Sequence, residues 1–99
     1  MMSGITYQYY VEGQDEKKLV DTLKSNGYIV SGKVEVFNVL QEPFTLLRIR
    51  PLKQNTVVIL IFDTDVEMVE VLIENIKFLK RQKNVKEIWC VTQVKNLED

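Results

Sequence analysis

The chain has no histidine among its 99 residues. Every mechanism that uses imidazole as base, proton shuttle or metal ligand is thereby excluded, including Ser-His-Asp and Cys-His catalysis and histidine-bound zinc. It has one cysteine, Cys90, which cannot close an internal disulfide, so a reducing compartment is expected. Nor does it carry an excess of either charge: 13 basic and 14 acidic residues leave a formal charge of -1. That balance argues against a nucleic-acid grip built on bulk positive charge, though not against one reached through a bound cation. No apolar run approaches the ~20 residues of a membrane span, and none near a terminus is long enough for a secretory h-region. A cytoplasmic protein with no membrane partner is the expectation.

What is present is a globular composition, 45% hydrophobic and 9% aromatic, in a length that holds a single domain over residues 1–99. The periodicity switches repeatedly between strand and helix. Thr6–Val11 (TYQYYV) is aromatic and β-branched, as a strand would be, and Glu12-Gly13 ends it. Asp15–Asn26 reads as a helix with Leu19, Val20 and Leu23 on one stripe, stopped by Gly27. Lys33–Val39 alternates as a second strand, Val34, Val36 and Asn38 toward one side and Glu35, Phe37 and Val39 toward the other. Between Pro43 and Pro51, FTLLRIR fits a short edge strand or a helical turn, with the strand preferred.

Thr56–Phe62 (TVVILIF) is apolar on both faces, the pattern of a central parallel strand covered by helices. A helix over about Val66–Gln82 follows, with Val69, Leu72, Ile73, Ile76 and Leu79 as its buried stripe. Glu87–Val91 (EIWCV) is the last strand. Two strand-helix-strand units of this kind predict an α/β fold: a small, mostly parallel sheet of about four strands flanked by helices, with right-handed crossovers. Cys90 is expected to be a buried small hydrophobe and Trp89 to pack under a helix, an exposed Trp89 marking an interface instead. The closing NLED resembles the opening of a helix, which would make the chain an N-terminal fragment of a longer protein.

Three acids stand where such a sheet places its sites, at the carboxyl ends of strands. Asp63 and Asp65 close the central strand, and Glu12 closes the first. If those strands are neighbours, the carboxylates meet, and their mutual repulsion calls for a hard divalent cation such as Mg²⁺. The plainer reading makes Asp65 the N-cap of the long helix and Glu12 a solvated loop residue. From position alone, both readings stand.

The same residues carry a family resemblance. Glu12-Gly13 after an apolar strand (YYVEGQDEKKLVDTL) and Phe62-Asp63-Thr64-Asp65 (ILIFDTD) resemble the two signatures of the Toprim domain. That domain is shared by topoisomerases, primases, overcoming-lysogenization-defect nucleases and small recombination or RNA-maturation proteins. The resemblance spans about Thr6 to Val91. It implies that Glu12 is a catalytic acid/base or second-metal ligand and that Asp63 and Asp65 bind Mg²⁺, with Mn²⁺ as a substitute. It further implies a nuclease-like protein acting on DNA or RNA, or an inactive regulatory or assembly protein with a partner domain, a partner protein or a second copy. A role in mobile-element or phage defence would suit either. The separate tyrosine domain of many topoisomerases has no counterpart here, and Tyr7, Tyr9, Tyr10 and Tyr28 have no equivalent role.

Around that centre, Gly13 would let a phosphate approach the backbone where the first helix opens, and Lys17, with Lys18, would steer an anion. Arg48, Arg50 and Lys53 form a basic stretch around Pro51, read either as a contact to backbone phosphates or as a solvated loop.

Overall fold

The computed structural model describes residues 4–63 and 69–93, Asp63 and Gln93 through their backbone alone. The elements follow in the order β1 (Thr6–Val11), α1 (Gln14–Ser25), β2 (Lys33–Val36), α2 (Leu46–Ile49), β3 (Thr56–Asp63), α3 (Glu70–Lys80) and β4 (Val85–Gln93). The four strands form one sheet in the order β2-β1-β3-β4, and every pairing is parallel. This is the expected α/β architecture, with helices on both faces. Among the described residues, no helix is long and apolar enough to cross a membrane.

The two outer crossovers step in opposite directions along the sheet, from β1 out to β2 and from β3 out to β4. Crossovers of one hand must then lie on opposite faces, and the packing follows suit. Val20 of α1 packs with Tyr9, Val11, Val57, Ile59 and Ile61. On the other face Tyr10, Val58, Leu60 and Phe62 meet Phe37, Phe44, Ile49, Leu72 and Leu79. Successive residues of β3 thus feed two cores, which is why TVVILIF is apolar at every position.

Local chemistry sets the boundaries. Gly27 is left-handed at φ 77°. Its N–H donates to the Lys24 carbonyl (3.0 Å) and that of Tyr28 to Leu23 (2.9 Å), closing α1 in a Schellman motif. Gly32 is required by a close approach, since a Cβ there would run into the Tyr7 carbonyl. Tyr9 buries its ring and donates its hydroxyl to the Val30 carbonyl at 2.6 Å. β2 stops at Val36, three residues short of expectation, because Phe37 and Val39 leave the sheet edge to enter the core.

The segment FTLLRIR is helical at α2, not an edge strand. Its buried residues, Phe44 and Ile49, have opposite strand parity, so no strand could bury both on one face. Thr45 caps the turn by accepting from the Arg48 N–H. In α3 the buried positions are Leu72, Asn75 and Leu79, whereas Val69 and Ile73, expected in the stripe, are exposed. The polar Asn75 occupies the central place. Its amide donates to the carbonyls of Val39 (2.9 Å) and Glu42 (2.8 Å), and its oxygen accepts from the Phe44 N–H (2.8 Å). One side chain therefore satisfies three backbone groups of the loop that carries the second core.

The two faces are covered unequally. A helix is about 10 Å wide and four strands span roughly 14 Å between outer axes, so α1 alone cannot cover its face. It lies over β1 and β2. Beyond it, Leu19 (52% exposed), Trp89 (42%) and Val91 border an apolar cleft of about 400 Å³. Trp89 therefore does not pack under a helix. Its ring tilts against Tyr7 and its Nε1 donates to Glu87 at 2.8 Å. Cys90 is exposed as well, not a buried hydrophobe, because β4 is an edge strand paired only with β3.

Replacing Asn75 by alanine orphans two carbonyls and one N–H in a closed interior. The expected loss is about 2–4 kcal/mol, read as a lower urea midpoint with an unchanged slope. Truncating the exposed Lys77 on the same helix should change stability by less than about 0.5 kcal/mol.

Candidate functional site

In an open parallel sheet, sites form where the strand order reverses, at the carboxyl ends of the strands that diverge. Here the chain leaves β1 toward β2 over one face and leaves β3 toward β4 over the other, so the reversal lies between β1 and β3. Their register runs from Thr6 opposite Thr56 to Val11 opposite Ile61. One further step brings Glu12 level with Phe62, and a second brings Gly13 level with Asp63. Neighbouring parallel strands lie ~4.8 Å apart, so Glu12-Gly13 and Phe62-Asp63, fifty residues apart in the chain, share one edge at its switch point.

Glu12 occupies the bend after β1 and is half-buried. Gly13 follows as the N-cap residue of α1, extended at φ -153° and ψ -176°, with no side-chain cap. The first helical hydrogen bond runs from the Lys17 N–H to the Gly13 carbonyl at 3.1 Å. The N–H groups of Gln14, Asp15 and Glu16 thus lack intrahelical acceptors and face the edge. Asp15 and Glu16 set negative charge in that same first turn, which suits the helix dipole and makes the edge acidic.

Lys17 is not brought to the acids. Its ammonium bonds the Asp21 carboxylate one turn further along α1 at 2.8 Å, and Lys24 lies 3.5 Å from the same carboxylate. The hydrogen bond from Lys17 holds the Asp21 carboxyl below its ordinary pKa. The charge of Lys17 is therefore directed down the helix, away from Gly13. α3 begins at Glu70 with Val69 in the N-cap position, so Asp65 is not its cap. Asp65 and the side chain of Asp63 lie outside the described residues. Among the described residues, no three His, Cys, Asp or Glu side chains form a group that could hold a metal ion.

Beneath the edge, on the α2 face, sits a group that sequence reasoning did not assemble. Tyr10 is 1% exposed, and its ring meets Phe37 and Phe44 edge-on, while those two rings stack at 4.3 Å. Arg48 lies over Phe37 at 4.6 Å and bonds Glu35 at 3.0 Å. Burial drives the Tyr10 phenol pKa upward, Glu35 adds to the rise and Arg48 opposes it. The phenol consequently stays protonated, as part of the floor. Glu35 and Arg48 are thirteen residues apart on different elements, and no local pattern announces their pairing.

Glu12, Asp15 and Glu16, with the nearest lysine already engaged by Asp21, leave the described part of this edge acidic. Gly13 is in a conformation any residue adopts, and a Cβ there meets only Glu16 Oε1, at 3.1 Å. Gly13→Ala should therefore leave the urea midpoint unchanged or raise stability by up to about 1 kcal/mol. Any loss of function in that variant is then steric, at the edge itself. Comparison with protein-family models, with curated proteins and with solved structures gives no match for this chain.

Proposed function

We propose that this chain is a Toprim-like protein that performs Mg²⁺-dependent phosphodiester chemistry on DNA or RNA. The observation that supports this reading is that Glu12, in the bend directly after β1, and Asp63, the last residue of β3, stand at the carboxyl ends of adjacent parallel strands, at the switch point of the sheet. Asp63 and Asp65, with Glu12, would hold the metal, which when bound neutralises the nonbridging phosphate oxygens as charge builds in the transition state. Mn²⁺ would serve in its place.

The chain's own groups have separate tasks. Glu12, half-buried at this edge, takes the proton from the attacking water. Gly13 leaves space for the phosphate at the backbone. The N–H groups that open α1 donate to its oxygens. Lys17, bonded to Asp21, contributes at most by releasing that partner.

A second reading keeps the fold without turnover, as a regulatory or assembly protein. It is favoured by the apolar cleft bordered by Leu19, Trp89 and Val91, since contiguous apolar surface of this kind is characteristic of interaction sites. A nicking assay on DNA and RNA, with Mg²⁺ and with Mn²⁺, separates the two. Glu12→Gln should lower cleavage by about 100-fold or more, and Asp63→Asn should do likewise, with each variant retaining its far-UV circular dichroism. Cleavage undiminished in both variants refutes the assignment of these acids. Wild-type protein that cleaves neither nucleic acid supports assembly.

A further inference from the structure

At the opposite edge of the sheet, the segments leading into β3 and β4 enclose a concavity of about 510 Å³. Its apolar floor is Leu46, Ile49 and Leu52, and its rim carries Arg50, Arg81 and Lys83. No acidic side chain among the described residues lines it. Among the described residues, none of these three cations takes part in an ion pair. Arg50 comes from the end of α2, whereas Arg81 and Lys83 follow α3 some thirty residues later.

The frame is fixed without any ligand. Asn84 donates through its side-chain amide to the carbonyls of Ile49 (3.3 Å) and Leu52 (3.0 Å), lacing the turn after α3 to the turn after α2. Its own carbonyl accepts from the Thr56 N–H at 3.0 Å. Arg50 and Arg81 are the C-cap residues of their helices, and the helix dipole explains a cation at the end of an 11-residue helix. It explains far less at the one-turn α2. Neither dipole explains why the two ends are tied around one concavity whose rim gathers three cations from separate segments.

We propose that this pocket binds a phosphate-bearing nucleotide unit, either a free mononucleotide or one unit of a single strand. Arginines match phosphate oxygens through paired N–H donors, and the leucine and isoleucine floor accepts the face of a base. The volume lies in the range of small-molecule sites and exceeds what inorganic phosphate fills. β3 runs eight residues between the two edges, or roughly 26 Å. The pocket is thus separate from the carboxyl edge, and the proposal stands whether or not Glu12 and Asp63 do chemistry.

The test is an amide-shift titration of the full chain with AMP, with a ten-nucleotide single strand and with inorganic phosphate. Saturable shifts at Arg50 and from Arg81 to Asn84 are expected with AMP, the strand or both, and weaken as salt is raised. Response to AMP identifies a free nucleotide as sufficient, and response to the strand alone identifies nucleic acid. The exposed double variant R50Q/R81Q should bind at least about tenfold more weakly with an unchanged urea midpoint, while E12Q should bind as wild type. Absence of saturable shifts at these amides, undiminished binding by R50Q/R81Q, or inorganic phosphate binding as tightly as AMP would each overturn the assignment.

Discussion

Six residues of β1, Thr6–Val11, run beside β3 from Thr56 to Ile61, and this ladder divides the molecule. β1 and β3 are neighbours although β2 lies between them in sequence, and β2 adds on one flank and β4 on the other. Opposite flanks place α1 and α3 on opposite faces, given crossovers of one hand. Each face then needs its own core, and β3 must be apolar on both sides to serve them. The same reversal opens the carboxyl edge between diverging chains, where Glu12 and Asp63 stand one register step apart. Core composition, helix placement and the position of the acids are consequences of a single pairing.

The ladder alone does not close the second core. The loop from Phe37 to Phe44 brings Phe37, Val39, Leu40 and Phe44 against the sheet, and its backbone polar groups need partners inside a closed interior. Asn75 supplies three of them from α3, and Asn84 supplies two for the turn that follows α2. Both asparagines reach carbonyls more than thirty residues away. On the α1 face, Tyr9 and Lys24 each donate to a single loop carbonyl, of Val30 and Gly32, and among the described residues no second helix covers the sheet beyond Leu19. The asymmetry is thus one of available elements: a helix, a turn of helix and a long loop on one face, a single helix on the other.

What could be read from the sequence follows from how local each signal is. β1, α1 and β3 were legible because alternation, helical spacing and a two-sided apolar run are written within a few residues. The Gly27 stop was legible for the same reason. FTLLRIR misleads because its apolar content fits strand or turn equally, and only the joint burial of Phe44 and Ile49 decides between them. Val69 and Ile73 appeared buried because spacing reports one face of a helix without saying how wide a neighbour it meets. Asn75 was invisible for the converse reason, being polar at a position whose burial depends on a loop thirty residues upstream. The exposure of Trp89 and Cys90 depends on β4 being last in the strand order, a property of the assembled sheet. At the carboxyl edge, the strand ends of Glu12 and Asp63 were legible, whereas their adjacency needed the topology.

A formal charge of -1 conceals a separation that matters more than the total. The carboxyl edge holds Glu12, Asp15 and Glu16 beside Asp63, while Arg50, Arg81 and Lys83 surround the concavity at the amino edge. Parallel strands make this separation natural. Each connecting helix runs antiparallel to its strands, so helix N-termini gather at the carboxyl edge and C-termini at the other. Dipoles favour acids at the first and bases at the second. Once sorted, the two populations stand roughly 26 Å apart along β3, well beyond a Debye length of about 8 Å at physiological salt. Neither edge neutralises the other in solution. Each presents its own sign at short range, and a chain of nearly balanced total charge carries an acidic edge and a basic concavity on one sheet.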